Sequence, residues 1–422
     1  MTNREMKHSG VPWLKDIPTE WKVERGKNVL ILLKRPVRDN DEVVTCFRDG
    51  EVILRSLRRT EGFTMSDKEI GYQGINKGDI VIHGMDGFAG AMGISKSTGK
   101  GSPVLVVCSP KYDAVPQYLI YYLRALAMTD VFIALATGIR ERSCDLRWNK
   151  ISELEFILPP AIEQQKIANY LDRKCDEIDA MIALQEKIIE ELKAYKQSVI
   201  AESVTKGLNP NATMKDSGVE WIGEVPTHWE TVKFKSLFNI KKIIAGKLGY
   251  DVLSVTQQGL KVKDLSKNEG QIAQDYSKYQ IVNIDDFVMN HMDLLTGYID
   301  CATIAGVTSP DYRTFTNRNT EIADNSYYLK IFQKCYKDRT FYHLGQGVSF
   351  LGRWRLPKEQ LNAFLLPLPP IKEQKLIAKF LENKCTEIDT LISIKAAKIE
   401  SLKEYKKSII YEYVTGKKEV TE

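Results

Sequence analysis

The residues that could do chemistry do not assemble into a catalytic motif. The run from Gly93 to Gly101 superficially resembles a phosphate-binding loop, but its spacing differs and no Ser or Thr follows Lys100 to hold magnesium. The adjacent carboxylates Asp285 and Asp286 are typical of a turn. No motif brings a nucleophile, a base and an orienting group together, so the sequence predicts that catalysis belongs elsewhere.

The cysteines and histidines do not indicate a metal site. Seven cysteines are scattered singly without a Cys-x-x-Cys pair, and the chain contains only five histidines. Structural zinc sites need closely spaced ligands, so we expect small, buried, reduced cysteines and no bound metal. The N-terminus has no apolar export segment, and no apolar run could span a bilayer. These features predict a cytoplasmic protein.

Basic side chains are the remaining candidates, and they suit contact with nucleic acid. Arginine is the commonest partner of guanine, whereas lysine more often meets phosphate. Each basic candidate could equally be an ordinary solvated charge. The two histidine candidates, His83 and His291, could be loop residues with satisfied hydrogen bonds. The candidate DNA contacts are Arg55, Arg58, Arg59, His83, Lys96, Lys100, Arg140 and Arg142 in the first half, and Lys241, Lys242, Lys247, Lys261, Lys263, His291, Arg313 and Arg318 in the second.

Composition sets only wide limits. The 422 residues suffice for two or three domains, and 43% hydrophobic with 27% charged residues is ordinary for a folded protein. A net charge of +5 is compatible with nucleic-acid binding but also with many enzymes.

The elements that must position these residues include two long helices that are copies of each other. The stretch Pro159-Pro160-Ala161-Ile162-Glu163-Gln164 returns as Pro369-Pro370-Ile371-Lys372-Glu373-Gln374, and matches at a shift of 210 continue to Val204 and Val414, shortly before the glycines at 207 and 416. A proline suits the first turn of a helix, and glycine is the usual left-handed stop. The repeat predicts helices over 159–207 and 369–416, each roughly 65 to 70 Å long at ~1.5 Å per residue.

Apolar residues at heptad spacing predict that these helices pair as a coiled coil. Helices this long do not stand alone in a soluble protein, so we expect the two copies to pack on each other. The predicted seam consists of Leu171, Ile178, Met181, Ile188, Leu192, Tyr195 and Val199 in the first copy, and Leu381, Ile388, Leu391, Leu402, Tyr405 and Ile409 in the second.

The rest of the chain is duplicated more loosely. A segment rich in Pro and Trp at 1–21 returns at 208–229, and we expect both to lie extended as clasps without regular structure. Between clasp and helix, short β-branched runs bounded by Gly, Asp and Pro predict a mixed α/β globule at 22–158 and another at 230–368. A short tail covers 417–422. The fold class is α+β, with a pseudo-twofold internal repeat.

This architecture resembles the specificity subunits of type I restriction-modification systems. The family alternates a target-recognition domain with a long helix that opens on a Pro-Pro-x-x-Glu-Gln motif, and the resemblance covers nearly the whole chain. It implies antiparallel helices with one recognition domain at each end, each reading half of a split target in double-stranded DNA.

The same resemblance implies partners that carry the catalysis. Two methyltransferase subunits would dock around the helices, and restriction-translocase subunits would join for cleavage. S-adenosylmethionine, ATP and Mg²⁺ would bind to those partners and not to this chain.

The loops Gly84–Gly93 and His291–Gly297 are the best candidates for lying in a DNA groove. They follow a matched strand in both globules yet differ in sequence. Family members often carry an arginine just after that strand, whereas this chain has His83-Gly84 and Asn290-His291. The target sequence and the spacer length cannot be read from the residues.

Two other classes of function remain open at this point. The first is a stand-alone enzyme that modifies or cleaves DNA with an unrecognised site, which DNA-directed activity of the purified chain would reveal. The second is a scaffold whose globules bind other proteins, which sequence-selective DNA binding together with a methyltransferase would exclude.

Overall fold

The computed structural model describes residues 4–58, 70–134, 146–264, 276–347 and 354–421. The chain divides into two compact units, one built from Met1–Glu186 with Ala396–Glu422 and the other from Lys187–Lys395. Each unit has a main hydrophobic core of its own and a smaller apolar cluster.

The first unit combines short strands with a few short helices and the beginning of a long one. Its strands are β1 (Met6–Val11), β2 (Leu14–Pro18), β3 (Lys22–Arg25), β4 (Leu30–Leu32), β5 (Val44–Cys46), β6 (Val52–Leu54), β7 (Gln73–Ile75), β8 (Ile80–His83), β9 (Met92–Ile94), β10 (Gly99–Gly101), β11 (Leu105–Pro110) and β12 (Glu155–Leu158). Its helices are α1 (Gly26–Val29), α2 (Pro116–Met128), α3 (Val131–Ala134), α4 (Trp148–Glu153) and the first part of α5 (Ala161–Lys206).

The second unit begins within α5 and has a similar order of elements. Its strands are β13 (Met214–Asp216), β14 (Glu224–Pro226), β15 (Glu230–Lys233), β16 (Phe238–Lys241), β17 (Val252–Thr256), β18 (Gly259–Val262), β19 (Gln280–Val282), β20 (Phe287–Met289), β21 (Ile299–Cys301), β22 (Gly306–Thr308), β23 (Arg313–Asn317) and β24 (Leu365–Leu368). Its helices are α6 (Phe234–Leu237), α7 (Asn325–Lys337), α8 (Thr340–His343), α9 (Lys358–Ala363) and the first part of α10 (Ile371–Val414).

Both units contain a four-stranded antiparallel sheet of the same topology. The strand order is β4-β11-β8-β9 in the first unit and β16-β23-β20-β21 in the second, so the fourth strand in the chain lies between the first and second in both sheets. Because β4 and β8 both run antiparallel to β11, their carboxyl ends share one edge, and the same holds for β16 and β20 beside β23.

The two sheets carry different core residues on this shared frame. Phe238, Phe287 and Phe315 pack in the second unit with ring centroids 5.0 to 5.6 Å apart. The register places Phe287 opposite Phe315, just as Ile80 lies opposite Cys108 in the first unit. Aliphatic and aromatic cores can support one backbone when packing is adjusted as a set, so the frame survives the divergence.

The surroundings of the two sheets differ more. The second unit adds another four-stranded sheet, β18-β17-β22-β19, which includes a parallel pair between β17 and β22. At the corresponding place the first unit has only the two-stranded pairs β5-β6 and β10-β7 among its described residues.

The clasp segments are β-hairpins, which corrects the expectation of an irregular extended segment. β1 pairs with β2 and β13 pairs with β14, both antiparallel. Gly10 has φ +75° and Gly218 has φ +69°, a conformation that glycine adopts without strain. Gly10 lies in β1 where its pairing with β2 is irregular, and Gly218 lies in the loop between β13 and β14. The paired segments are too short for a clear alternation to show in the sequence. The expected burial of the indoles is observed at Trp21 and Trp229, which are both 0% exposed.

The Glu-Gln pair that opens α5 ties the helix to the rest of its unit. Glu163 accepts a hydrogen bond from Trp21 Nε1 at 3.0 Å and forms an ion pair with Arg4 at 2.6 Å. Gln164 accepts from the Val115 N–H at 2.9 Å and donates to the Pro159 carbonyl at 2.8 Å. The buried glutamine therefore satisfies backbone groups at the start of α2 and just before α5.

The same pair opens α10 in the second unit. Glu373 Oε2 accepts from Trp229 Nε1 at 3.1 Å, and His228 Nε2 lies 2.9 Å from the same oxygen. Gln374 accepts from the Asp324 N–H and donates to the Pro369 carbonyl, both at 2.8 Å.

Within each unit a segment of α5 runs antiparallel to a segment of α10. In the first unit Lys406 forms an ion pair with Asp179 at 2.6 Å, and the rings of Tyr170 and Tyr413 lie 4.5 Å apart. In the second unit the matching pair, Lys196 with Asp389, also lies at 2.6 Å.

The buried stripe of these helices differs in part from the predicted seam. Buried seam residues are Leu171, Ile178, Leu381, Ile388, Leu402 and Ile409, and half-buried ones are Ile188, Leu192 and Val199. Met181, Tyr195, Leu391 and Tyr405 are about half exposed. The buried stripe includes Cys175 and Cys385, which lie four residues after Leu171 and Leu381. By contrast, Met181 and Leu391, three residues after Ile178 and Ile388, are about half exposed.

Tyrosine hydroxyls fix the far end of each helix segment. The Tyr118 hydroxyl lies 2.8 Å from the Ile157 carbonyl and 3.2 Å from that of Val414, near the end of α10. In the second unit Tyr327 donates to the carbonyl of Val204, near the end of α5, at 2.8 Å.

We predict that Tyr118→Phe lowers the free energy of unfolding of the first unit by about 1–2 kcal/mol, because two buried carbonyls lose a shared donor. Urea unfolding followed by tryptophan fluorescence measures this change. Tyr112→Phe is the matched control, since Tyr112 is 94% exposed. Equal midpoints for the two variants would contradict the assigned role of the hydroxyl.

Candidate nucleic-acid interface

In the second unit, basic residues gather at one edge of the sheet β16-β23-β20-β21. His291 follows the carboxyl end of β20, and Arg313 opens the neighbouring strand β23 opposite Met289. Lys241 and Lys242 lie where β16 leaves the sheet at this same edge. The topology therefore brings together candidates that are far apart in the sequence.

His291 is buried and neutral at this edge. Its carbonyl accepts from the Leu356 N–H at 2.9 Å, and its side chain is 5% exposed. Among the described residues, its Nδ1 has no hydrogen-bond partner. Burial, together with the nearby charges of Arg313 and Arg355, lowers the pKa of the imidazole to about 3.

Arg313 and Arg355 face a cleft of about 470 Å³. The Arg313 side chain is 8% exposed, and its Nη1 donates to the Leu356 carbonyl at 3.1 Å. Burial and the like charge of Arg355 lower the pKa of Arg313 to about 10. The cleft is lined by Arg313, Gln346, Arg355, Pro357, Lys358 and Glu359.

Lys241 makes a buried ion pair with Asp286, which suits a structural role better than a DNA contact. Lys242 is exposed. The Lys247 ammonium lies 5.6 Å from the centre of the Tyr250 ring, within a cation–π distance. Three exposed aliphatic residues lie next to these lysines in the sequence, and they are Ile243, Ile244 and Leu248.

The other second-unit candidates lie away from this edge. Arg318 follows the carboxyl end of β23, opposite to Arg313, and donates to the Phe238 carbonyl at 3.1 Å. Lys261 lies on β18 in the other sheet, where its ammonium donates to Gln258 at 2.6 Å. Lys263 extends that strand, its N–H bonded to the Val252 carbonyl at 2.7 Å.

The corresponding edge of the first unit has a different composition. The Leu146 N–H donates to the Gly84 carbonyl at 2.9 Å, the same contact that Leu356 makes with His291. His83 Nδ1 accepts from the Asp86 N–H at 3.0 Å, and burial lowers the pKa of its imidazole. His83 therefore stabilises its own loop, which is the alternative that we set beside a DNA contact.

The remaining first-unit candidates make local contacts. Arg58 pairs with Asp49 and Glu51 and lies 4.2 Å from the Phe47 ring centre. The hydrogen bond to Asp49 raises the pKa of Arg58. Lys96 pairs with Glu51 at 2.9 Å on an exposed surface, where such pairs add little stability and exchange readily.

Arg55 and Lys100 are only partly exposed. Arg55 Nε donates to Thr45 Oγ1 at 3.2 Å, and the Lys100 N–H donates to the Glu42 carbonyl at 2.8 Å. Arg59, Arg140 and Arg142 lie outside the described residues.

Sequence reasoning missed Arg355, Lys358 and Gln346, which line the cleft beside Arg313. The shift of 210 that aligns the long helices sets Arg355 against Asp145, a reversal of charge. Apart from Leu146 and Leu356 the residues around this pair do not match, so the reversal alone does not indicate a site.

Two searches of the described residues bear on other classes of function. No group of three or more His, Cys, Asp or Glu side chains in the described part of the chain could hold a metal ion. None of the helices described there has the length and apolar character needed to cross a membrane.

We predict that His291 makes the second unit sensitive to acid. The unfolded imidazole takes up a proton near pH 6.5, whereas the folded one does so only near pH 3. The unfolded state therefore binds more protons between these values, and the free energy of unfolding falls by up to ~1.4 kcal/mol per pH unit as the pH drops. Urea unfolding at pH 7 and 5 should show a smaller loss in His291→Asn. An unchanged loss in that variant would refute the assignment.

Comparison with known proteins gives three concordant matches. Residues 226–413 match the family model described as the type I restriction modification DNA specificity domain. The putative type I restriction enzyme MjaX specificity subunit of Methanocaldococcus jannaschii is 24% identical over 430 residues, covering 95% of this chain and 94% of the relative. The MjaVIII specificity subunit of the same organism is 25% identical over 428 residues, covering 95% and 93%.

Solved structures share the fold at lower sequence identity. A chain from a study of complex assembly and conformational transition of the type I R-M system has a TM-score of 0.70 and 15% identity, covering 95% of this chain and 99% of that one. The HsdS subunit from Thermoanaerobacter tengcongensis has a TM-score of 0.54 and 14% identity, with coverage of 95% and 98%.

The Pro-Pro-x-x-Glu-Gln motifs, the repeated architecture and these matches lead to one conclusion: residues 226–413 carry a type I restriction modification DNA specificity domain, and the chain is similar over nearly its whole length to type I restriction enzyme specificity subunits.

Proposed function

We propose that this chain is the non-catalytic subunit that selects the DNA target of a type I restriction-modification complex. Each recognition domain reads one half of a bipartite target in double-stranded DNA. The paired helices, acting as a coiled coil, set the gap between the half-sites and dock the methyltransferase subunits. The observation that carries this proposal is one sheet topology present in both units with unlike residues at the same edge.

The unlike edges suit two readers of different sequences. A side chain added at Gly84 would meet the Val104 carbonyl at 2.9 Å, so the first unit has no room for a residue like His291 there. Base reading depends on a few side chains that reach groove edges, and a fixed frame with variable edge loops supplies such sets.

The two long helices are suited to setting a fixed distance between the half-sites. α5 has 46 residues and α10 has 44, and each contributes a segment to both units. Their ends are held by Tyr118 and Tyr327 in the respective units. A rigid spacer between two DNA-reading modules fixes the separation of half-sites.

Each unit also exposes an apolar patch on its helices that suits a protein partner. We define patch 1 as Met181, Leu184 and Tyr405 and patch 2 as Leu391, Ile394 and Tyr195, all about half exposed. Every member of patch 1 has its counterpart in patch 2 at the shift of 210. The ion pairs Lys406–Asp179 and Lys196–Asp389 place each tyrosine level with its aliphatic neighbours along the helix pair.

Two equivalent patches predict two copies of one partner. Exposed apolar groups of this kind mark protein interfaces. In this proposal the partner is the methyltransferase subunit, and S-adenosylmethionine, ATP and Mg²⁺ bind to the partner subunits that perform methylation, translocation and cleavage. Patch 1 and patch 2 therefore account for the seam positions that the fold leaves exposed.

Methylome sequencing of a host that carries this chain with its methyltransferase tests the proposal. We expect one new methylated motif made of two unlike half-sites separated by a fixed gap. A host with the methyltransferase alone is the control. A continuous motif, or methylation without this chain, would overturn the proposal.

Deleting one helical turn from both α5 and α10 should shorten the gap by about one or two base pairs, since a turn spans ~5.4 Å and a base pair ~3.4 Å. The same methylome assay measures the gap, and deleting an equal number of residues from the tail 417–421 should leave it unchanged. An unchanged gap in the helix variant would exclude the helices as the ruler.

Charges placed in one patch should remove one methyltransferase copy, because an unpaired charge is costly to bury. Native mass spectrometry of the co-purified complex should count one copy for Met181→Glu with Leu184→Glu, and also for Leu391→Glu with Ile394→Glu. Glu190→Lys, a charge change on another face of α5, should retain both copies. Two copies in either double variant would place the docking surface elsewhere.

A further inference from the structure

The cleft beside His291 in the second unit carries an excess of positive charge. Arg313 and Arg355 line it together with Lys358. Glu359 also lines it, and its negative charge acts on Arg313, but no ion pair joins it to either arginine within the described part of the chain. The two guanidinium groups repel each other strongly enough that Arg355 contributes to lowering the pKa of Arg313.

Such an arrangement is costly unless an anion joins it. Arg313 is held in place by the Leu356 carbonyl, so its guanidinium cannot turn out to solvent without losing that bond. The buried Nδ1 of His291 lacks a partner among the described residues. An anion in the cleft would be stabilised by both guanidinium groups, which present donors in a geometry suited to phosphate oxygens.

The recessed position of Arg313 favours phosphate over a base edge. Base edges lie on the floor of a DNA groove and are reached by side chains that protrude from the protein. Phosphates protrude from the duplex and can enter a cleft. Arg313 is the first residue of β23 and is only 8% exposed, so its side chain does not protrude enough to enter a DNA groove.

The cleft is a property of the second unit and not of the shared frame. Gly84 stands where the second unit has His291, and Val106 on β11 stands where it has Arg313. The sequence has Asp145 at the place of Arg355. A phosphate held here would thus be contacted by one recognition domain alone.

We propose that the cleft formed by Arg313, Arg355 and Lys358 holds a single backbone phosphate of the DNA bound by the second recognition domain. This inference rests on the proposed function. The contact orients the domain on its half-site and carries no base preference of its own.

The test uses the full chain in complex with its methyltransferase subunits and a duplex that carries the methylated motif. Binding is measured over a series of KCl concentrations for the natural chain, for Arg355→Gln and for Lys235→Gln. Arg355 is exposed, so its replacement should not disturb folding, which thermal melting checks. Lys235, an exposed lysine on α6 before the start of β16, at the opposite end of the sheet, is the matched control.

We expect Arg355→Gln to weaken binding about tenfold and to reduce the slope of log K against log salt by about one. Lys235→Gln should leave the slope unchanged. A scan that replaces each phosphate of the second half-site by neutral methylphosphonate should find one position that weakens the natural chain similarly. At that position Arg355→Gln should add no further loss, because both changes remove the same contact.

Three results would overturn the inference. An unchanged salt slope in Arg355→Gln, or fully additive losses in the scan, would show that no phosphate lies in the cleft. A change in the preferred base with an unchanged slope would assign Arg355 to base reading. In all three results the natural complex still binds its motif selectively, so the proposed function stands. Loss of all selectivity in the natural complex would instead refute the proposed function and this inference together.

Discussion

The hydrogen bond between a buried indole and the glutamate that opens each long helix is the constraint on which the rest of each unit depends. Trp21 reaches Glu163 in the first unit, and Gly416, beyond the end of α10, packs against that same tryptophan. One contact point therefore fixes the start of one helix and the end of the other. A helix of 46 residues has too narrow an apolar stripe to be stable alone, and these end contacts supply the tertiary support that it needs.

A frame fixed in this way can tolerate large changes at the sheet that it carries. The exchange of aliphatic for aromatic packing between the units leaves the strand order intact, because the exchanged residues contact one another. The edge residues are under no such joint restraint. His291 and Arg313 could arise in one unit while Gly84 and Val106 remained in the other, without any change in how the helices are held. The edge residues can therefore differ between the two units while the architecture stays the same.

Sequence reasoning predicts the elements with strong local signals. The long helices, their glycine stops and some strands of the globules follow from periodicity and from proline and glycine positions. The exposed positions of Met181 and Tyr195 do not, since a heptad pattern fixes which residues are apolar but not which neighbouring stripe is buried. The cleft could not be predicted from the sequence either, because two long-range contacts bring Arg313 and Arg355 together. These contacts are the pairing of β20 with β23 and the hydrogen bond between Leu356 and His291. Long-range pairing of this kind leaves no trace in residue spacing.

The contact of Gly416 with Pro18 and Trp21 has a consequence for how the polypeptide could be connected. Gly207 meets Trp229 in the same way, and there the backbone simply continues from helix into hairpin. Consider a circularly permuted gene that opens after residue 207 and links residue 421 to residue 4 by a short peptide. The helix-to-hairpin connection would then be continuous near Gly416 and open at Gly207. Its product would retain every contact that holds the helices and would differ only in which recognition domain is synthesised first.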